Sequence, residues 1–432
     1  MAIEMARGVR DFPPEEKIIR QEVVSKLTNV FERYGFSPLE TPAIERMEIL
    51  SAKFAAGETS DVQKEIFQLT DQGGRKLGLR FDLTVPLARF LAMNPNLKMP
   101  FKRYEIGRTY RDGPIKLGRY REFWQCDVDV VGCKTMIAEA ELMKLSLDVF
   151  RELNLDAYLE INNRKLLNGI LDYAGIAVEK RPESIIIVDK LKKIGIEEVK
   201  KELVAAEIAD KSIERLMEIF GIQGESNNIL KELKSKIQSP AGIEGITELE
   251  ELFSFFNEEE LKNIKLNISL ARGLSYYTGP VFEGFLRDSK ITGSICGGGR
   301  YDNLIKSYLE SEKEYPSTGI SFGLEPITEA LKLTRKEVRK SVAQLYIVPI
   351  KTLKESLNIA QQLRNSGLKV DIDLLGRGVS KNLDYADRLG IPFCVIIGQT
   401  ELDNKLANVK NMKSGVEEKV PFDKLKEYNF KL

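Results

Sequence analysis

Two runs of ten residues with a turn between them constrain the fold of this chain more than any other feature. Apolar and polar residues alternate over 101–110 and again over 122–131, which predicts the two strands of an antiparallel hairpin. The intervening Asp112-Gly113-Pro114 is typical of a turn. Asp127 and Asp129 are two residues apart on the second strand, so we expect them on one face of the sheet.

Arginine side chains crowd this predicted hairpin and stand close to its two aspartates. Fixed cations beside fixed carboxylates indicate a site for an anion together with a small cationic group. The alternative is an edge hairpin whose charged face is merely solvated. The arginines are Arg108, Arg111, Arg119 and Arg121.

The chain contains no histidine among its 432 residues. That count excludes Ser-His-Asp and Cys-His triads, imidazole general bases and metals bound by histidine. The four cysteines are scattered and none forms a CxxC pair, which argues against a zinc site or a disulfide scaffold. Catalysis by this chain is therefore expected to depend on positioning and electrostatics supplied by Arg, Lys, Tyr, carboxylates or backbone groups.

Length and hydropathy limit the kinds of protein that this chain can be. A chain of 432 residues predicts two or three domains. No apolar run approaches the length needed to span a bilayer, and the first residues lack the apolar segment of a secretory signal. We therefore expect a cytoplasmic protein. A formal net charge of zero does not decide whether the chain binds nucleic acid, because a local basic patch can hide in a neutral total.

Changes in composition divide the chain into five predicted segments. Residues 1–169 and 262–330 mix strands with helices and form an α+β domain. Between them, residues 170–261 carry Ile and Leu at helical spacing among Lys and Glu, which predicts a helical insertion. Residues 331–342 are a charged linker. Residues 343–432 have a βαβαβ order, which predicts a small C-terminal α/β domain with a parallel sheet.

Several segments, taken together and in order, resemble class II aminoacyl-tRNA synthetases and specifically the histidyl-tRNA synthetase family. The resemblance covers essentially the whole chain. Two of the segments are peculiar to the histidine enzymes, which separates this family from other class II synthetases. The matching segments are RGVRDFPPEE at the start, GFSPLETPAIE (motif 1), YRDGPIKLGRYREFWQCDVDVVG (motif 2), the histidine-specific LARGLSYYTG and GGGRYDNL, GISFGLEP (motif 3), and residues 343–432 as an anticodon-binding domain.

The resemblance implies a fold, a reaction and a set of partners. The catalytic domain would have an antiparallel sheet, motif 1 would lie at the interface of a homodimer, and the insertion would lie near the tRNA acceptor stem. The reaction would join L-histidine to ATP as histidyl-adenylate and then transfer histidine to the 3' end of its tRNA. Magnesium would bridge the ATP phosphates. Neither a metal site made by the protein nor a membrane partner is implied.

The resemblance also assigns roles to individual residues. Arg111 and Arg272 would flank the α-phosphate and counter its repulsion of the histidine carboxylate, which is the main catalytic task. Asp129 and Tyr277 would read the imidazole. The full set is Asp82, Thr84, Arg111, Gln125, Asp129, Arg272, Tyr276 and Tyr277 for histidine, Arg111, Arg119, Arg121, Phe123 (stacked on adenine) and Glu325 for ATP, and Lys116 and Arg377 for tRNA.

Three residues depart from the family pattern. Ser275 replaces the usual Asp, Gly113 stands where many members have Glu, and Pro326 replaces the motif 3 arginine that covers adenine. Because proline offers neither charge nor an N–H group, another cation would have to cover ATP. Arg121 and Arg300 are the candidates.

These departures leave a second class of function open. A synthetase-like subunit that binds histidine and regulates an ATP phosphoribosyltransferase would have no need to form the adenylate, and a degraded motif 3 favours this hypothesis. The retained arginines, both histidine-specific segments and the complete C-terminal domain favour an active ligase, since a pure regulator has no use for anticodon recognition. A third hypothesis is a tRNA-binding module without catalysis.

Overall fold

The computed structural model describes residues 3–52, 64–115, 120–271, 277–306, 308, 314–335 and 339–430. Five of the residues singled out in the sequence lie outside these ranges: Lys116, Arg119, Arg272, Ser275 and Tyr276. The chain divides into two compact units. The larger consists of Met1–Arg10 and Val23–Lys332, and the smaller of Asp11–Glu22 and Leu333–Leu432.

A sheet of eight strands forms the centre of the larger unit, counting only residues that the structure describes. A second, three-stranded sheet stands apart from it. The strands of this unit are β1 (Ser37–Pro38), β2 (Ile44–Arg46), β3 (Gln68–Thr70), β4 (Lys76–Leu79), β5 (Phe101–Tyr110), β6 (Glu122–Val131), β7 (Ala157–Asn163), β8 (Ile264–Leu266), β9 (Pro280–Leu286), β10 (Cys296–Arg300) and β11 (Ser317–Gly323). The large sheet has the order β1-β5-β6-β11-β10-β9-β7-β8, and its neighbours are antiparallel except for β1 with β5 and β7 with β8.

The predicted hairpin is confirmed residue for residue. Strands β5 and β6 pair from Phe101 opposite Val131 to Tyr110 opposite Glu122. Since side chains alternate between the faces of a strand, Cys126 and Val128 turn to the apolar face, and Asp127 turns to the other. The structure thereby confirms an α+β domain built on a largely antiparallel sheet.

Helices cover the apolar face of the sheet and fill the segment between β7 and β8. The helices of the larger unit are α1 (Pro14–Arg33, which begins in the smaller unit), α2 (Met47–Ala52), α3 (Thr84–Met93), α4 (Ile137–Glu152), α5 (Arg164–Ala174), α6 (Arg181–Asp189), α7 (Leu191–Ile194), α8 (Ile196–Ala205), α9 (Asp210–Phe220), α10 (Ser226–Lys236), α11 (Pro240–Ser254), α12 (Glu258–Leu261), α13 (Asn303–Lys306) and α14 (Leu324–Thr334). Helix α4 packs on β7 and β11. The predicted helical stretch 170–261 is helical in the structure and belongs to the same compact unit as the sheet.

The smaller unit has a five-stranded sheet within the described residues, in the order β13-β12-β14-β15-β16. Its elements are β12 (Leu345–Pro349), α15 (Leu353–Asn365), β13 (Val370–Ile372), α16 (Val379–Arg388), β14 (Phe393–Ile397), α17 (Gln399–Asn404), β15 (Leu406–Asn411) and β16 (Glu417–Pro421). Strands β13, β12 and β14 are parallel, as predicted. The antiparallel strands β15 and β16 were not predicted. Across both units, the described helices include none that is long and apolar enough to cross a membrane.

Candidate active site

Three adjacent strands form a polar floor on the face of the sheet opposite helix α4. Strand β6 contributes Asp127 and Asp129, and the neighbouring β11 places Ser321 and Gly319 opposite them. A Cβ atom on Gly319 would lie 2.0 Å from Oδ1 of Asp129, so only glycine fits there. The floor therefore combines buried carboxylates with small residues that leave room above them.

Asp129 is committed to partners within the protein. It is 3 % exposed, and Arg103, its direct cross-strand neighbour on β5, places Nη2 2.9 Å from Oδ2. The hydroxyl of Tyr301 donates to Oδ1 of the same carboxylate. Burial raises the pKa of Asp129 although Arg103 and Tyr301 favour the charged form. Arg103 also donates to the Leu83 carbonyl at 3.0 Å, which ties this end of the floor to the start of α3.

Asp127 has a different environment on the same face. It is also 3 % exposed, and burial raises its pKa to about 8, with Arg103 opposing the shift and the charge of Asp129 adding to it. Its Oδ1 has no hydrogen-bond partner among the described residues. The same holds for Oε1 of Gln125, whose amide nitrogen donates to Ser321 Oγ at 3.0 Å. Oδ2 of Asp129 also lacks a hydrogen bond within the part of the chain that the structure describes, although the Arg103 guanidinium lies 2.9 Å away, so a buried acceptor without a hydrogen bond occurs at each of these three positions of the strand face.

A buried ion pair holds the segment that resembles motif 1 against this face. Arg80 Nη1 lies 2.8 Å from Glu105 Oε1 and 2.7 Å from the Thr41 carbonyl oxygen. Glu105 also accepts from the Thr41 amide at 3.0 Å, and Arg80 Nε donates to the Arg108 carbonyl at 2.8 Å. Because each charge has several partners, the pair can remain buried, and it fixes the segment at Thr41 to β5.

Asp82 and Thr84 lie at the start of α3, beside the acidic end of the floor. Asp82 is buried and its Oδ1 accepts from the Val85 amide at 3.0 Å, a capping contact that satisfies one of the first N–H groups of the helix. Its charge contributes to the raised pKa of Asp127. Thr84 is half-buried at the first helical position. The structure therefore brings these two predicted histidine contacts to the same end of the floor as Asp127.

Cations and an aromatic ring gather at the other end, where the hairpin turns. The Arg111 guanidinium lies 5.1 Å from the centre of the Phe123 ring, and Arg111 Nε donates to the Phe81 carbonyl at 3.0 Å. Arg121, which shares a strand face with Phe123, pairs with Asp112 at 2.9 Å. Three predicted ATP contacts are therefore neighbours in the structure.

The motif 3 region contacts this end through the start of α14, which follows β11 directly. Glu325 is buried, and its Oε2 accepts from the Trp124 amide at 3.1 Å, next to Phe123. Pro326 is the third residue of α14. The N–H groups of a first helical turn have no intrahelical partner, so a proline there breaks no hydrogen bond of the helix. The fold accommodates Pro326 without disturbing Glu325.

Arg300 is excluded as a substitute for the missing motif 3 cation, and that suggestion was wrong. Arg300 is on the face of β10 opposite Gly299, and its side chain is 3 % exposed. It pairs with Glu139 of α4 at 2.8 Å and donates to the carbonyls of Cys133 at 3.1 Å and Thr135 at 3.3 Å. All of these contacts lie behind the sheet, so Arg300 cannot reach a ligand on the polar floor.

Sequence reasoning missed two residues that shape the acidic end. Arg103 and Glu105 are two residues apart on a strand whose bounds were predicted correctly. The alternation of that strand could have placed both side chains on one face of the sheet. Tyr301 follows β10 on the face of Gly297 and Gly299. The predicted Tyr277 is half-buried and packs in an apolar cluster that includes Tyr301.

The predicted tRNA contact Arg377 belongs to the smaller unit. It follows β13, its guanidinium lies 4.3 Å from the centre of the Tyr385 ring, and it pairs with Asp373 at 3.3 Å. A quarter of its side chain is exposed. Part of the guanidinium therefore remains at the surface while the rest is fixed by the fold.

Comparisons with known proteins agree with this architecture. The family model for histidyl-tRNA synthetase matches residues 8–327, and the model for the anticodon binding domain matches residues 344–430. A histidine–tRNA ligase 1 of Bacillus cereus is 43% identical over 434 residues, which cover 99% of this chain and all of the relative.

Two solved structures share the fold. The crystal structure of histidyl-tRNA synthetase from Nostoc sp. PCC 7120 superposes with a TM-score of 0.87 at 32% identity and covers 99% of this chain and 98% of that one. An ATP phosphoribosyltransferase regulatory subunit/histidyl-tRNA synthetase from Bacillus halodurans C superposes with a TM-score of 0.76 at 22% identity, covering 92% of this chain and 98% of that one, a likeness of fold alone. With a family model matched over most of its length and a full-length relative at 43% identity, the chain belongs to the histidyl-tRNA synthetase family.

Proposed function

We propose that this chain ligates L-histidine to its tRNA in two steps, formation of histidyl-adenylate from histidine and ATP and transfer of histidine to the tRNA 3' end. One observation carries the proposal: a single sheet face joins a buried acidic end, with Asp127 and Asp129, to an arginine-aromatic end with Arg111 and Phe123. That arrangement suits a small cationic amino acid beside a nucleotide. The full-length relatives are ligases, which favours this function over the regulatory subunit.

The arginine end would supply the chemistry of the first step. A carboxylate oxygen of histidine attacks the α-phosphorus while the bond to pyrophosphate breaks, and no proton has to be removed. The obstacle is repulsion between two anions, so guanidinium groups that meet the charge of the transition state are the main catalytic device. We assign this role to Arg111 and Arg272, and we place adenine on Phe123 with Arg119, Arg121 and Glu325 near the nucleotide.

Magnesium would enter with ATP as part of the substrate. The part of the chain that the structure describes holds no cluster of three or more side chains able to bind a metal ion. Phosphate oxygens and water would therefore be its main ligands, with at most one or two protein carboxylates, which is the usual way in which magnesium is held on ATP. Its contribution would be to neutralise the charge of the phosphates.

The acidic end would select the amino acid. Asp82, Thr84 and Gln125 would hold the α-amino and carboxylate groups, and Asp129, with Tyr276 and Tyr277, would belong to the imidazole subsite. Burial strengthens this selection, because a substrate that lacks the right donors leaves buried acceptors unpaired.

The second step requires the tRNA. Lys116 in the hairpin loop and Arg377 in the smaller unit are the proposed contacts, residues 343–432 would read the anticodon, and residues 170–261 would approach the acceptor stem. We propose a cytoplasmic homodimer in which the motif 1 segment 35–45 forms the subunit interface.

Isotopic exchange of pyrophosphate into ATP tests the proposal. The purified chain should catalyse exchange that depends on histidine, and it should then charge histidine tRNA. The alternatives predict other results: a histidine-binding regulator would bind histidine without exchange, and a tRNA-binding module would show neither histidine binding nor exchange.

A further inference from the structure

The sheet holds the residues that lead into Arg272. These residues, 267–271, follow β8 directly and are here called the lead-in. Nδ2 of Asn162, a fully buried side chain on β7, donates to the carbonyl oxygens of Ile268 and Leu270, both at 2.9 Å. Because one side chain holds two carbonyl groups that are two residues apart, the sheet fixes the course of the lead-in toward Arg272.

The helical insertion holds the end of the lead-in. Ala271, the last residue before Arg272, is 5 % exposed, and its backbone N–H donates to Oδ1 of Asp189 at 3.0 Å. A buried N–H group without an acceptor is costly, so this hydrogen bond stabilises the position of the Ala271 peptide. Consecutive Cα atoms are about 3.8 Å apart, so a shift of Ala271 would be passed on to Arg272.

Asp189 is poorly placed for the stability of its own helix. It is an exposed residue at the end of α6, a helix with no basic residue in its last turn. A carboxylate there faces the negative end of the helix dipole, and aspartate is a weak helix former. The buried Ile185, Ile187 and Val188 hold this end of the helix, which makes it a firm base for the carboxylate. The hydrogen bond with Ala271 gives a reason for an aspartate at this position.

A second contact ties the insertion to the lead-in at the corner between α6 and α7, residues 189–192. Lys192 of α7 pairs with Glu160 of β7 at 2.5 Å, and the other carboxylate oxygen of Glu160 accepts from Nδ2 of Asn267 at 2.8 Å. The corner therefore holds both ends of the lead-in, Ala271 directly and Asn267 through Glu160.

We propose that Asp189 is a positioning residue for adenylate formation: it fixes the peptide of Ala271 and thereby Arg272, so that the helical insertion supports the chemistry on the sheet. The inference rests on the proposed function, in which Arg272 flanks the α-phosphate. Asp189 itself would touch neither histidine nor ATP. Its loss should therefore lower the rate of the chemical step and leave the binding of both substrates nearly unchanged.

Steady-state pyrophosphate exchange tests this role. We expect Asp189→Ala to lower kcat roughly 10- to 100-fold, with changes of less than about twofold in KM for histidine and for ATP. Asp189→Asn keeps an oxygen that can accept from Ala271, and it should retain about a third of the wild-type kcat or more. Glu183→Ala is the matched control, because Glu183 is an exposed carboxylate in the first turn of the same helix, and its kcat should equal that of the wild type. Asp189→Ser, whose side chain is too short to reach Ala271, replaces the alanine variant if that variant does not fold.

A double variant tests whether Asp189 acts through Arg272. In the Arg272→Ala background the group to be positioned is absent, so adding Asp189→Ala should lower kcat by less than about threefold further. Losses that multiply in full would mean that Asp189 acts on some other group, and would overturn the inference.

The remaining outcomes also overturn it. Wild-type kcat in a folded Asp189→Ala variant would mean that the hydrogen bond positions nothing on which adenylate formation depends. Equal losses in Asp189→Ala and Asp189→Asn would mean that the charge acts and the hydrogen bond does not. A wild-type chain without histidine-dependent exchange would overturn the proposed function and this inference with it, a result that is distinguishable because it needs no variant.

Discussion

The two ends of the polar floor differ in how deeply their charged side chains are buried and in what holds them. At the acidic end, Asp127, Asp129 and Arg103 are buried, and Arg103 forms a close ion pair with Asp129. At the arginine end, Arg111 and Arg121 are only half-buried, and backbone carbonyls and the exposed Asp112 hold them. The first end is a buried cluster whose charged side chains depend on each other. The second is a set of half-buried cations near the surface, in which the carboxylate paired with Arg121 is itself exposed.

The difference predicts that changes at the acidic end mainly alter the stability of the fold, and that changes at the arginine end mainly alter the rate of the reaction. A change at the acidic end should appear in the folded protein itself, because an unbalanced buried charge is costly. A change at the arginine end should appear in the rate of adenylate formation, because preorganised cations act on charge that develops in the transition state.

Asp129→Ala should have the largest effect on stability. It leaves Arg103, which is fully buried, without its 2.9 Å partner, and breaking a buried pair in this way costs about 3–5 kcal/mol. Thermal and denaturant unfolding of the ligand-free protein measure this loss. Asp127→Ala is the matched control, because it removes a buried carboxylate without such a close partner and should cost much less. Equal losses in the two variants would contradict the contrast drawn between them.

Arg111→Ala should have the largest effect on chemistry. Loss of a preorganised donor to the transition state costs about 3–4 kcal/mol, which is a reduction of roughly 10²- to 10³-fold in the rate of adenylation. Stopped-flow or pyrophosphate-exchange kinetics measure it. Arg108→Ala is the control, since Arg108 lies near the end of β5, three residues before Arg111, with 55 % of its side chain exposed and a 3.6 Å pair to Glu122. A folded Arg111→Ala enzyme with a normal rate would remove Arg111 from catalysis.

The pH dependence of stability should also differ between the ends. Burial raises the pKa of Asp127 from 3.8 to about 8, so between these values the folded state holds a proton that the unfolded state releases. The free energy of unfolding of the ligand-free protein should therefore fall as pH rises from about 4 to about 8. Asp127→Asn should make the decline shallower, and Asp129, Glu139 and Glu45, whose pKa values burial also raises, should contribute to the remaining slope. Chemical denaturation at several pH values is the measurement, and an unchanged slope in the variant would count against the buried proton.

The arginine end and the hairpin were predictable from sequence, because alternation fixes both the strand bounds and the face of each side chain. At the acidic end, alternation also put Asp127 and Asp129 on one face, but their partners were not predictable, since the contact of Asp129 with Arg103 depends on how two strands pair in register, and that of Tyr301 depends on a strand far along the chain. The wrong suggestion that Arg300 could cover ATP also arose because a local pattern did not show where the side chain would lie. A glycine-rich run gives no alternating pattern, so nothing in it showed which face the arginine would take.

Strands β15 and β16 show a related limit. Their residues are Leu-Ala-Asn-Val-Lys-Asn and Glu-Glu-Lys-Val-Pro, in which few apolar positions mark a buried face. They add to the edge of a sheet whose three parallel strands were predicted because those strands are continuous apolar runs. Polar edge strands are stabilised by pairing with a neighbour, which a local pattern does not reveal.

Pro326→Arg should have the smallest effect of these variants, a modest rise in affinity for ATP, and it tests the arginine end directly. Pro326 lies half-buried in the first turn of α14, so an arginine there breaks no hydrogen bond of the helix, and its guanidinium would gain at most a stacking interaction with adenine, worth about 0.5–2 kcal/mol. With Arg300 locked behind the sheet, Arg121 is the remaining candidate for the missing cation. Affinity for ATP should therefore rise by no more than about tenfold in Pro326→Arg, and the gain should be larger when Arg121 is also replaced by Ala. Equilibrium binding of ATP to the two single variants and the double variant measures this coupling, and strictly additive effects would show that Arg121 does not serve in place of the motif 3 arginine.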